Sequence, residues 1–332
     1  MKDKFNRKIE YARISVTQKC NLSCVYCRPH DKQESSVSAQ TPGGLACSEL
    51  CSYELKPEEF EAVVRVMVGL GITKIRLTGG EPLVRSDICE IVKRIASIPG
   101  LSDLSMTTNG IYLYKYAKRL KEYGLNRINI SIDSLKDNKF SEITGGGSLR
   151  NVLEGIEKAA ELGFNPIKIN TVLIKGVNDD EIDSFFALAK DKSLEVRFIE
   201  LMPVGRFGEL NTNKIVYNSD IISAHPELIP CENVYTNHPA SYYTIDGYKG
   251  KIGFISPMSH KFCGSCNRIR LTSDGKIKPC LGDNGEVNII DAIRTDREKL
   301  AQVVEEAVYM KPEGHSFHKK YSSLRNMNMI GG

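Results

Sequence analysis

The stretch ARISVTQKCNLSCVYC, residues 12–27, decides how the rest of this chain is interpreted. It begins with a short β-rich run and ends in three cysteines with CxxxCxxC spacing, namely Cys20, Cys24 and Cys27. Three thiolates from one loop suit three irons of a cubane iron–sulfur cluster and leave the fourth iron open to a small molecule. Structural zinc is the alternative, but zinc normally takes four ligands, and His30 would complete an unusual CxxxCxxCxxH set.

Composition bounds the class of protein. The 332 residues, 41% of them hydrophobic, are enough for one large domain or for a large and a small one. The N-terminus has no secretory signal and no run is long enough to span a membrane, so we expect a cytoplasmic protein. In a reducing cytosol its ten cysteines argue against a disulfide framework and for metal or redox chemistry. The 45 basic and 41 acidic residues are too balanced for a general nucleic-acid binder, so any anion site is local.

The first two-thirds of the chain alternate strands and helices. Six β-rich runs occupy residues 13–17, 74–80, 104–110, 128–133, 167–174 and 195–202, with amphipathic stretches between them. Units of this length favour a parallel sheet with outer helices, and their polar strand ends would meet along one rim. The alternation stops near Gly205, which predicts an α/β fold with a partial (β/α)6 barrel of the TIM type.

The remainder of the chain has a different pattern. Residues 242–258 and 267–280 are predicted to form hairpins with Asp-Gly turns, and a charged helix is predicted from about 288 to 310. We therefore divide the chain into a barrel at 1–207 and a smaller α+β domain at 208–332. A long surface excursion at 28–55 interrupts the barrel after its first strand and carries Cys47 and Cys51.

A second cysteine triplet lies in the C-terminal part, in the segment FCGSCNRIRLTSDGKIKPC. Its members are Cys263, Cys266 and Cys280. Arg268 and Arg270 alternate on the strand that follows, so they share one face, and two guanidinium groups beside a metal site suit a phosphate-bearing substrate. A zinc ribbon with His260 or Asp283 as fourth ligand is the alternative.

The first triplet resembles that of the radical S-adenosylmethionine (SAM) enzymes, in which an aromatic residue, here Tyr26, precedes the third cysteine. TGGEP at 78–82 looks like the family segment for the methionine amino group. Ser131 and Met202 fall at the ends of strands four and six, where the family binds the ribose or carboxylate and the adenine. The resemblance implies a 4Fe–4S cluster at the first triplet, with SAM bound near Tyr26, Gly80, Ser131 and Met202.

Both triplets together resemble the GTP 3′,8-cyclase family of molybdenum cofactor biosynthesis, from about Arg13 to Gly332. NRIRLT, RFIELMPVG and the terminal MNMIGG also match this family. The resemblance implies a second 4Fe–4S cluster whose open iron holds the guanine base, with Lys74 and Arg197 as weaker triphosphate contacts. The main implied GTP contacts are Arg13, Arg76, Thr107, Lys168, Arg268 and Arg270.

The implied reaction converts GTP to (8S)-3′,8-cyclo-7,8-dihydroguanosine 5′-triphosphate, the first step of molybdenum cofactor (molybdopterin) biosynthesis, by a lyase. SAM yields a radical that removes the ribose 3′ hydrogen, and the resulting carbon radical attacks C8 of guanine. No residue is assigned as a catalytic acid or base. The implied partners are the cyclic pyranopterin monophosphate synthase accessory protein downstream, a flavodoxin or ferredoxin reductant, and a second copy in a homodimer, with no membrane and no nucleic acid.

Other features of the chain are compared with the same family. The family's terminal double glycine enters the active site, which implies a position near Arg13 for Gly331 and Gly332. Arg28 stands where the family leads us to expect methionine, and the 28–55 loop is longer than expected. Another radical SAM enzyme with an auxiliary cluster, modifying a peptide or a cofactor, is the nearest alternative function. A zinc-binding nucleic-acid module is the alternative from a different class.

Overall fold

The computed structural model of the chain describes residues 1–27, 54–231, 238–318 and 321–331. All six predicted β-rich runs form strands. In chain order the strands are β1 (Tyr11–Ser15), β2 (Lys74–Thr78), β3 (Asp103–Thr108), β4 (Arg127–Ser131), β5 (Ile167–Leu173), β6 (Leu194–Glu200), β7 (Ile229–Pro230), β8 (Ala240–Thr244), β9 (Lys251–Ile255), β10 (Arg268–Leu271), β11 (Lys276–Lys278) and β12 (Val287–Asn288).

Helices follow the strands as the amphipathic stretches predict. They are α1 (Pro57–Gly69), α2 (Ile88–Ala96), α3 (Leu113–Glu122), α4 (Asp137–Thr144), α5 (Leu149–Glu161), α6 (Ile182–Asp191), α7 (Gly205–Leu210), α8 (Asn218–Ala224), α9 (Ile290–Thr295), α10 (Arg297–Tyr309) and α11 (Met327–Ile330). Within the described ranges, none of these helices is both long and apolar enough to cross a membrane.

The strands form one sheet of twelve, in the order β12-β11-β10-β1-β2-β3-β4-β5-β6-β9-β8-β7. β1 to β6 are parallel neighbours, as in the predicted partial barrel. The C-terminal part adds three strands to each edge, starting with β10, which pairs in parallel with β1, and with β9, which pairs in parallel with β6. The second part of the chain therefore continues the sheet of the first and does not form a separate one.

Alternation along each strand divides the sheet into an apolar and a polar face. In β4, Ile128 and Ile130 are fully buried in the hydrophobic core beneath the helices. Arg127, Asn129 and Ser131 point to the opposite face, because neighbouring side chains of a strand alternate. The same alternation in the other parallel strands gives the barrel a polar interior.

The helices cover the apolar face. In α1, Phe60, Val63, Val64 and Met67 are all buried, at the i, i+3, i+4, i+7 spacing of one helix face. The helix begins at Pro57, whose fixed φ suits a first helical position. Burying each of these side chains contributes about 1.5–3 kcal/mol, and this packing holds the polar interior in place.

The two predicted hairpins are present, since β8 pairs with β9 and β10 with β11 in antiparallel fashion. The prediction of one helix over 288–310 is wrong at Asp296. This residue adopts an extended conformation (φ −159°, ψ 125°), and its side chain accepts a hydrogen bond from the Glu298 amide at 2.8 Å. The aspartate caps a new helix, so α9 ends and α10 begins there.

Candidate active site

The first cysteine triplet lies on the loop that follows β1. Cys20, Cys24 and Cys27 are all half-buried, and none of the three forms a disulfide bond. The loop is tied to the end of α4 through hydrogen bonds from the Ser23 and Val25 amides to the carbonyls of residues 144 and 143, at 2.9 and 3.0 Å. Burial raises the pKa of the Cys24 thiol, and the Asp133 carboxylate and the other two thiols add to this rise. Binding to cationic iron would relieve this unfavourable environment of the thiolates.

The glycines of TGGEP allow the cysteine loop to approach β2. The Gly80 amide donates to the Thr17 carbonyl at 2.7 Å, and the Glu81 amide donates to the Lys19 carbonyl at 2.8 Å. A Cβ at Gly80 would lie 2.7 Å from the Gln18 carbonyl oxygen and would overlap the Lys19 carbonyl. Only glycine fits there without displacing the segment that leads to Cys20.

Glu81 joins the ends of β2 and β3 from a fully buried position. Its carboxylate accepts hydrogen bonds from the Leu83 amide (2.9 Å), the Thr108 hydroxyl (2.7 Å) and the Asn109 amide (2.6 Å). Burial raises its pKa to about 7, against the effect of these donors. Asn109 in turn donates to the Asn21 side chain at 2.8 Å, inside the cysteine loop. Sequence reasoning used the glycines of this motif and missed the structural role of its glutamate.

Tyr26 forms a hydrogen bond with Asp133, a residue that the sequence analysis did not select. Its hydroxyl donates to Asp133 at 2.6 Å, and the other oxygen of Asp133 accepts the Val172 amide at 2.9 Å. Burial raises the pKa of Asp133 to about 6. The signal that identifies this residue is the SID sequence at the end of β4, in which Asp133 follows Ser131 by two positions.

Ser131 and Met202 lie on the same rim as the cysteine loop. Ser131 is the last residue of β4, and Met202 follows β6 by two residues. Both side chains are half-buried. Met202 packs against a small apolar cluster that includes Val204, Phe317 and Ile330. The structure thus places all four predicted SAM residues on loops or strand ends at one rim.

The predicted GTP contacts share the polar interior of the barrel. In the register of the sheet Arg13 stands opposite both Arg76 and Arg270, and Tyr11 stands opposite both Lys74 and Arg268. Thr107 stands opposite Asn129, which is itself opposite Lys168. Arg197 reaches the same interior, where it donates to Asn129 at 2.7 Å.

Concentrated positive charge is the main electrostatic property of this interior. Burial first, and then the neighbouring Arg13 and Arg268, lower the pKa of Arg270 to about 9. The pKa values of Arg13 and Arg76 are also lowered, first by burial and then in part by other arginines. A bound polyanion would offset this repulsion, so the interior is suited to a polyphosphate.

Lys168 forms a buried ion pair with Glu195, a residue that the sequence analysis missed. The Tyr242 hydroxyl donates to Glu195 at 2.6 Å and lies 3.1 Å from the Lys168 ammonium. Burial lowers the pKa of Lys168 to about 8, with a further contribution from Arg197. Glu195 neutralises part of the charge that a phosphate would otherwise meet.

Two further interior groups were also missed. Arg127 pairs with Asp103, with a distance of 2.7 Å from Nε to one carboxylate oxygen. His238 lies close enough to Lys168 and Arg268 that its pKa falls to about 3, mainly through burial and then through these and other cations. Neither Arg127 nor His238 belongs to a recognisable sequence motif. Their positions in the interior follow only from the sheet register and the packing of the chain.

The second triplet flanks the hairpin of β10 and β11. Cys263 and Cys266 come just before β10, and Cys280 comes just after β11. Cys263 lies in a short 3-10 turn, Cys263–Ser265, and its carbonyl accepts the Cys266 amide at 3.1 Å. Burial opposes ionisation of Cys266, but Lys311 and Arg268 lower its pKa below the usual value. The guanidinium of Arg7, far away in sequence, donates to the Cys263 carbonyl at 2.8 Å.

The C-terminal tail enters the barrel. Arg270 donates to the carbonyl oxygen of Ile330 at 3.0 Å and to that of Gly331. Gly331 has φ +70°, and a Cβ there would approach the Thr78 methyl group at 2.5 Å. The implied position near Arg13 is consistent with this contact, because Arg13 and Arg270 are opposite each other in the sheet. Gly332 lies outside the described residues.

Structural zinc was the alternative considered for both triplets. Across the residues that the structure describes, no three His, Cys, Asp or Glu side chains are grouped closely enough to hold a single metal ion. His260 and Asp283, the zinc ligands considered for the second triplet, are among the residues searched. A cubane cluster binds its thiolates at three separate irons, so they stand farther apart than the ligands of one ion. The expectations for Arg28, His30, Cys47 and Cys51 lie outside the described residues.

Comparison with known families identifies the superfamily. A model of the radical SAM superfamily matches residues 14–189, and a model described as Molybdenum Cofactor Synthesis C matches residues 194–317. The chain therefore belongs to the radical SAM superfamily. The crystal structure of Streptococcus suis SuiB bound to S-adenosylmethionine superposes with a TM-score of 0.58 at 14% identity, over 91% of this chain and 67% of that one, which shows the shared fold.

Full-length relatives define the family more narrowly. The GTP 3′,8-cyclase of Alkaliphilus oremlandii is 46% identical over 334 residues and that of Listeria monocytogenes is 45% identical over 346. These matches cover all of this chain, 100% of the first relative and 99% of the second. The chain is thus a member of the GTP 3′,8-cyclase family.

Proposed function

We infer that this chain is a radical SAM lyase that converts GTP to (8S)-3′,8-cyclo-7,8-dihydroguanosine 5′-triphosphate, the first step of molybdenum cofactor biosynthesis. The observation that carries this function is the pairing of two cysteine triplets with a cation-lined barrel, in a chain that matches GTP 3′,8-cyclases over its full length. Its cofactors are two 4Fe–4S clusters and SAM.

We propose that Cys20, Cys24 and Cys27 hold the first cluster. When bound, this cluster supplies the electron that cleaves a carbon–sulfur bond of SAM. The proposed SAM contacts are Tyr26, Gly80, Ser131 and Met202. Three observations support this set: the thiols share one loop and form no disulfide bond, the Gly80 backbone supports that loop, and Asp133 orients the Tyr26 ring through its hydroxyl.

Cys263, Cys266 and Cys280 are the proposed ligands of the second cluster. Mutual interaction of the thiols supports this set, since Cys266 and Cys263 both act on the ionisation of Cys280. Arg268 and Arg270 follow directly on β10, so a nucleotide held at this cluster would have guanidinium groups beside it.

The polar interior supplies the proposed binding site for the triphosphate. Its contacts are Arg13, Arg76, Thr107, Lys168, Arg268 and Arg270, with Lys74 and Arg197 in support. For Lys168 to bind phosphate, the phosphate must compete with Glu195 for the ammonium. The chain's part in the reaction is therefore positional: it grips both ends of GTP, presents one ribose C–H bond, and excludes water with the tail that Arg270 holds.

The remaining assignments are also proposals. Residues 1–207 would carry SAM chemistry, and residues 208–332 would carry the second cluster and part of the GTP site. The reductant would be a flavodoxin or ferredoxin, and the product would pass to the cyclic pyranopterin monophosphate synthase accessory protein. We further propose a cytoplasmic protein that forms a homodimer and binds no nucleic acid.

The test is an anaerobic turnover assay. The protein is reconstituted with iron and sulfide, reduced with dithionite, and supplied with SAM and GTP, and 5′-deoxyadenosine and the GTP-derived product are followed by mass spectrometry. Wild type should form both. Cys24→Ser should form neither, whereas Cys263→Ser should lose the GTP product and retain some SAM cleavage.

Each failure has a distinct meaning. SAM cleavage that leaves GTP untouched in wild type would contradict the substrate and favour a peptide- or cofactor-modifying enzyme. A Cys263→Ser variant with wild-type iron and product would contradict the second ligand set. A protein that takes up zinc and no iron would contradict the radical chemistry altogether.

A further inference from the structure

Lys311 lies inside the protein between the two segments that carry the second triplet. Its side chain is 2% exposed. The ammonium donates to the Arg268 carbonyl at 2.9 Å and to the Pro279 carbonyl at 2.7 Å. Arg268 follows Cys266 by two residues, and Pro279 directly precedes Cys280. One side chain therefore ties together the backbone around two of the three cysteines.

The charge of this ammonium requires compensation. Both backbone acceptors are neutral, and burying a charge is unfavourable unless an opposite charge is near. In the described part of the chain no carboxylate forms an ion pair with Lys311. Its two contacts place the ammonium beside the segments that carry Cys266 and Cys280, and Lys311 is the leading cation acting on both of these thiols. The thiolates are therefore the groups that oppose its charge.

The charges around Cys24 of the first triplet differ in sign from the ammonium beside the second triplet. The charges that act most on Cys24 are those of Asp133, Cys27 and Cys20, and all of them are negative. No cation is among the charges that act most on Cys24, whereas Lys311 acts on both Cys266 and Cys280.

We propose that Lys311 is the counter-ion and a positioning residue of the second iron–sulfur cluster, an inference that rests on the ligand set Cys263, Cys266 and Cys280. A 4Fe–4S core with three thiolates is anionic, and reduction adds a further negative charge. A buried ammonium held between two ligand-bearing segments stabilises the reduced form, and so raises the reduction potential of this cluster. The same contacts hold the β10 and β11 segments at the spacing that the cluster needs.

Lys278 provides a matched control on β11. It is as deeply buried as Lys311, at 2% exposure, and it also donates to a backbone carbonyl, that of Asp283. Its ammonium lies 3.9 Å from the Glu286 carboxylate, so the protein itself compensates its charge. Removing this lysine deletes a buried ammonium near the second triplet without deleting the proposed counter-ion.

The experiment uses the full chain with Cys24→Ser, which removes the first cluster so that the EPR signal reports on the second alone. Lys311→Met, Lys311→Arg and Lys278→Met are compared in this background by EPR-monitored redox titration and by iron loss to a chelator. We expect Lys311→Met to shift the potential to more negative values and to weaken iron binding about 10- to 100-fold. Lys311→Arg should stay near the parent in potential, and so should Lys278→Met.

The outcomes separate the two proposals. A parent chain that holds no cluster contradicts the ligand set, and the role of Lys311 falls with it. A loaded parent whose potential and iron retention are unchanged by Lys311→Met contradicts the role of Lys311 alone. An equal shift in Lys278→Met also overturns it, because the effect would then belong to any buried lysine there. If Lys311→Met holds no iron while Lys311→Arg does, the counter-ion role is supported.

Discussion

Replacing Gly80 with alanine should displace the first cysteine loop. The new Cβ would lie 2.7 Å from the Gln18 carbonyl oxygen and would overlap that of Lys19, whereas ordinary contacts are 3.4–4 Å. Both neighbours are backbone atoms, so no side chain can rotate away to make room. The segment that leads to Cys20 therefore has to retreat by roughly 1 Å.

The cost follows from the bonds that this retreat breaks. The amides of Gly80 and Glu81 donate to the carbonyls of Thr17 and Lys19 at 2.7 and 2.8 Å. Two such hydrogen bonds are worth about 2 kcal/mol, and overpacking adds about 1–3 kcal/mol. A local destabilisation of about 3–5 kcal/mol falls on a loop that must hold three thiolates around one cluster.

The displacement of the cysteine loop is measured as the iron content of the reconstituted protein. Gly80→Ala should lose the iron of the first cluster and keep that of the second, so combining it with Cys266→Ser should remove nearly all iron. Gly69→Ala is the control, because this glycine ends α1 with nothing within 4 Å of the new Cβ. Alanine there should stabilise the helix by roughly 0.5–1 kcal/mol and leave both clusters in place.

One result would refute the reasoning. If Gly80→Ala retains the iron, SAM affinity and unfolding temperature of Gly69→Ala, then the close approach between this glycine and the cysteine loop does not constrain the site.

Three other predictions concern buried polar groups. The Glu81 pKa of about 7 lies above its unfolded value, so its contribution to stability is complete at low pH and lost as pH rises toward 7. Glu81→Gln should remove up to about 3 kcal/mol of pH dependence between pH 4.5 and 7, measured by denaturant unfolding, and parallel curves for variant and wild type would contradict this. Arg270→Ala should release the carboxyl-terminal turn, seen as faster hydrogen exchange there, whereas Arg268→Ala should not, and equal protection in both variants would disprove the contact. Lys168→Met and Glu195→Gln should each destabilise the fold by about 3 kcal/mol while the double variant recovers most of the loss, and simple additivity in a double-mutant cycle would show that the pair is uncoupled.

The strand and helix pattern was predictable because it is local. In β4 the order RINIS already alternates polar and apolar residues, and in α1 the spacing of Phe60, Val63, Val64 and Met67 marks one helix face. The prediction of one helix across 288–310 was wrong because Asp296 caps a second helix. Hydrophobic periodicity does not reveal such a cap.

Site residues divide in the same way. The first cysteine triplet and the alternating arginines of β10 could be proposed from the sequence, since each residue lies within a few positions of its partners along the chain, whereas Cys280 lies 14 positions beyond Cys266. Asp133, Glu195, Lys311 and His238 were not predicted, because their partners are far away in sequence and no motif joins them.

The sequence by itself determined the element order, the cysteine spacing and which strand positions are polar, because these depend on periods of two to four residues. Only the tertiary structure decided that β9 and β10 extend opposite edges of one sheet, that Arg13 stands between Arg76 and Arg270, and that Lys311 lies between the segments carrying Cys266 and Cys280. The physical reason is that sheet register and side-chain packing join residues tens to hundreds of positions apart. Local patterns carry no information about which distant partner will satisfy a buried charge.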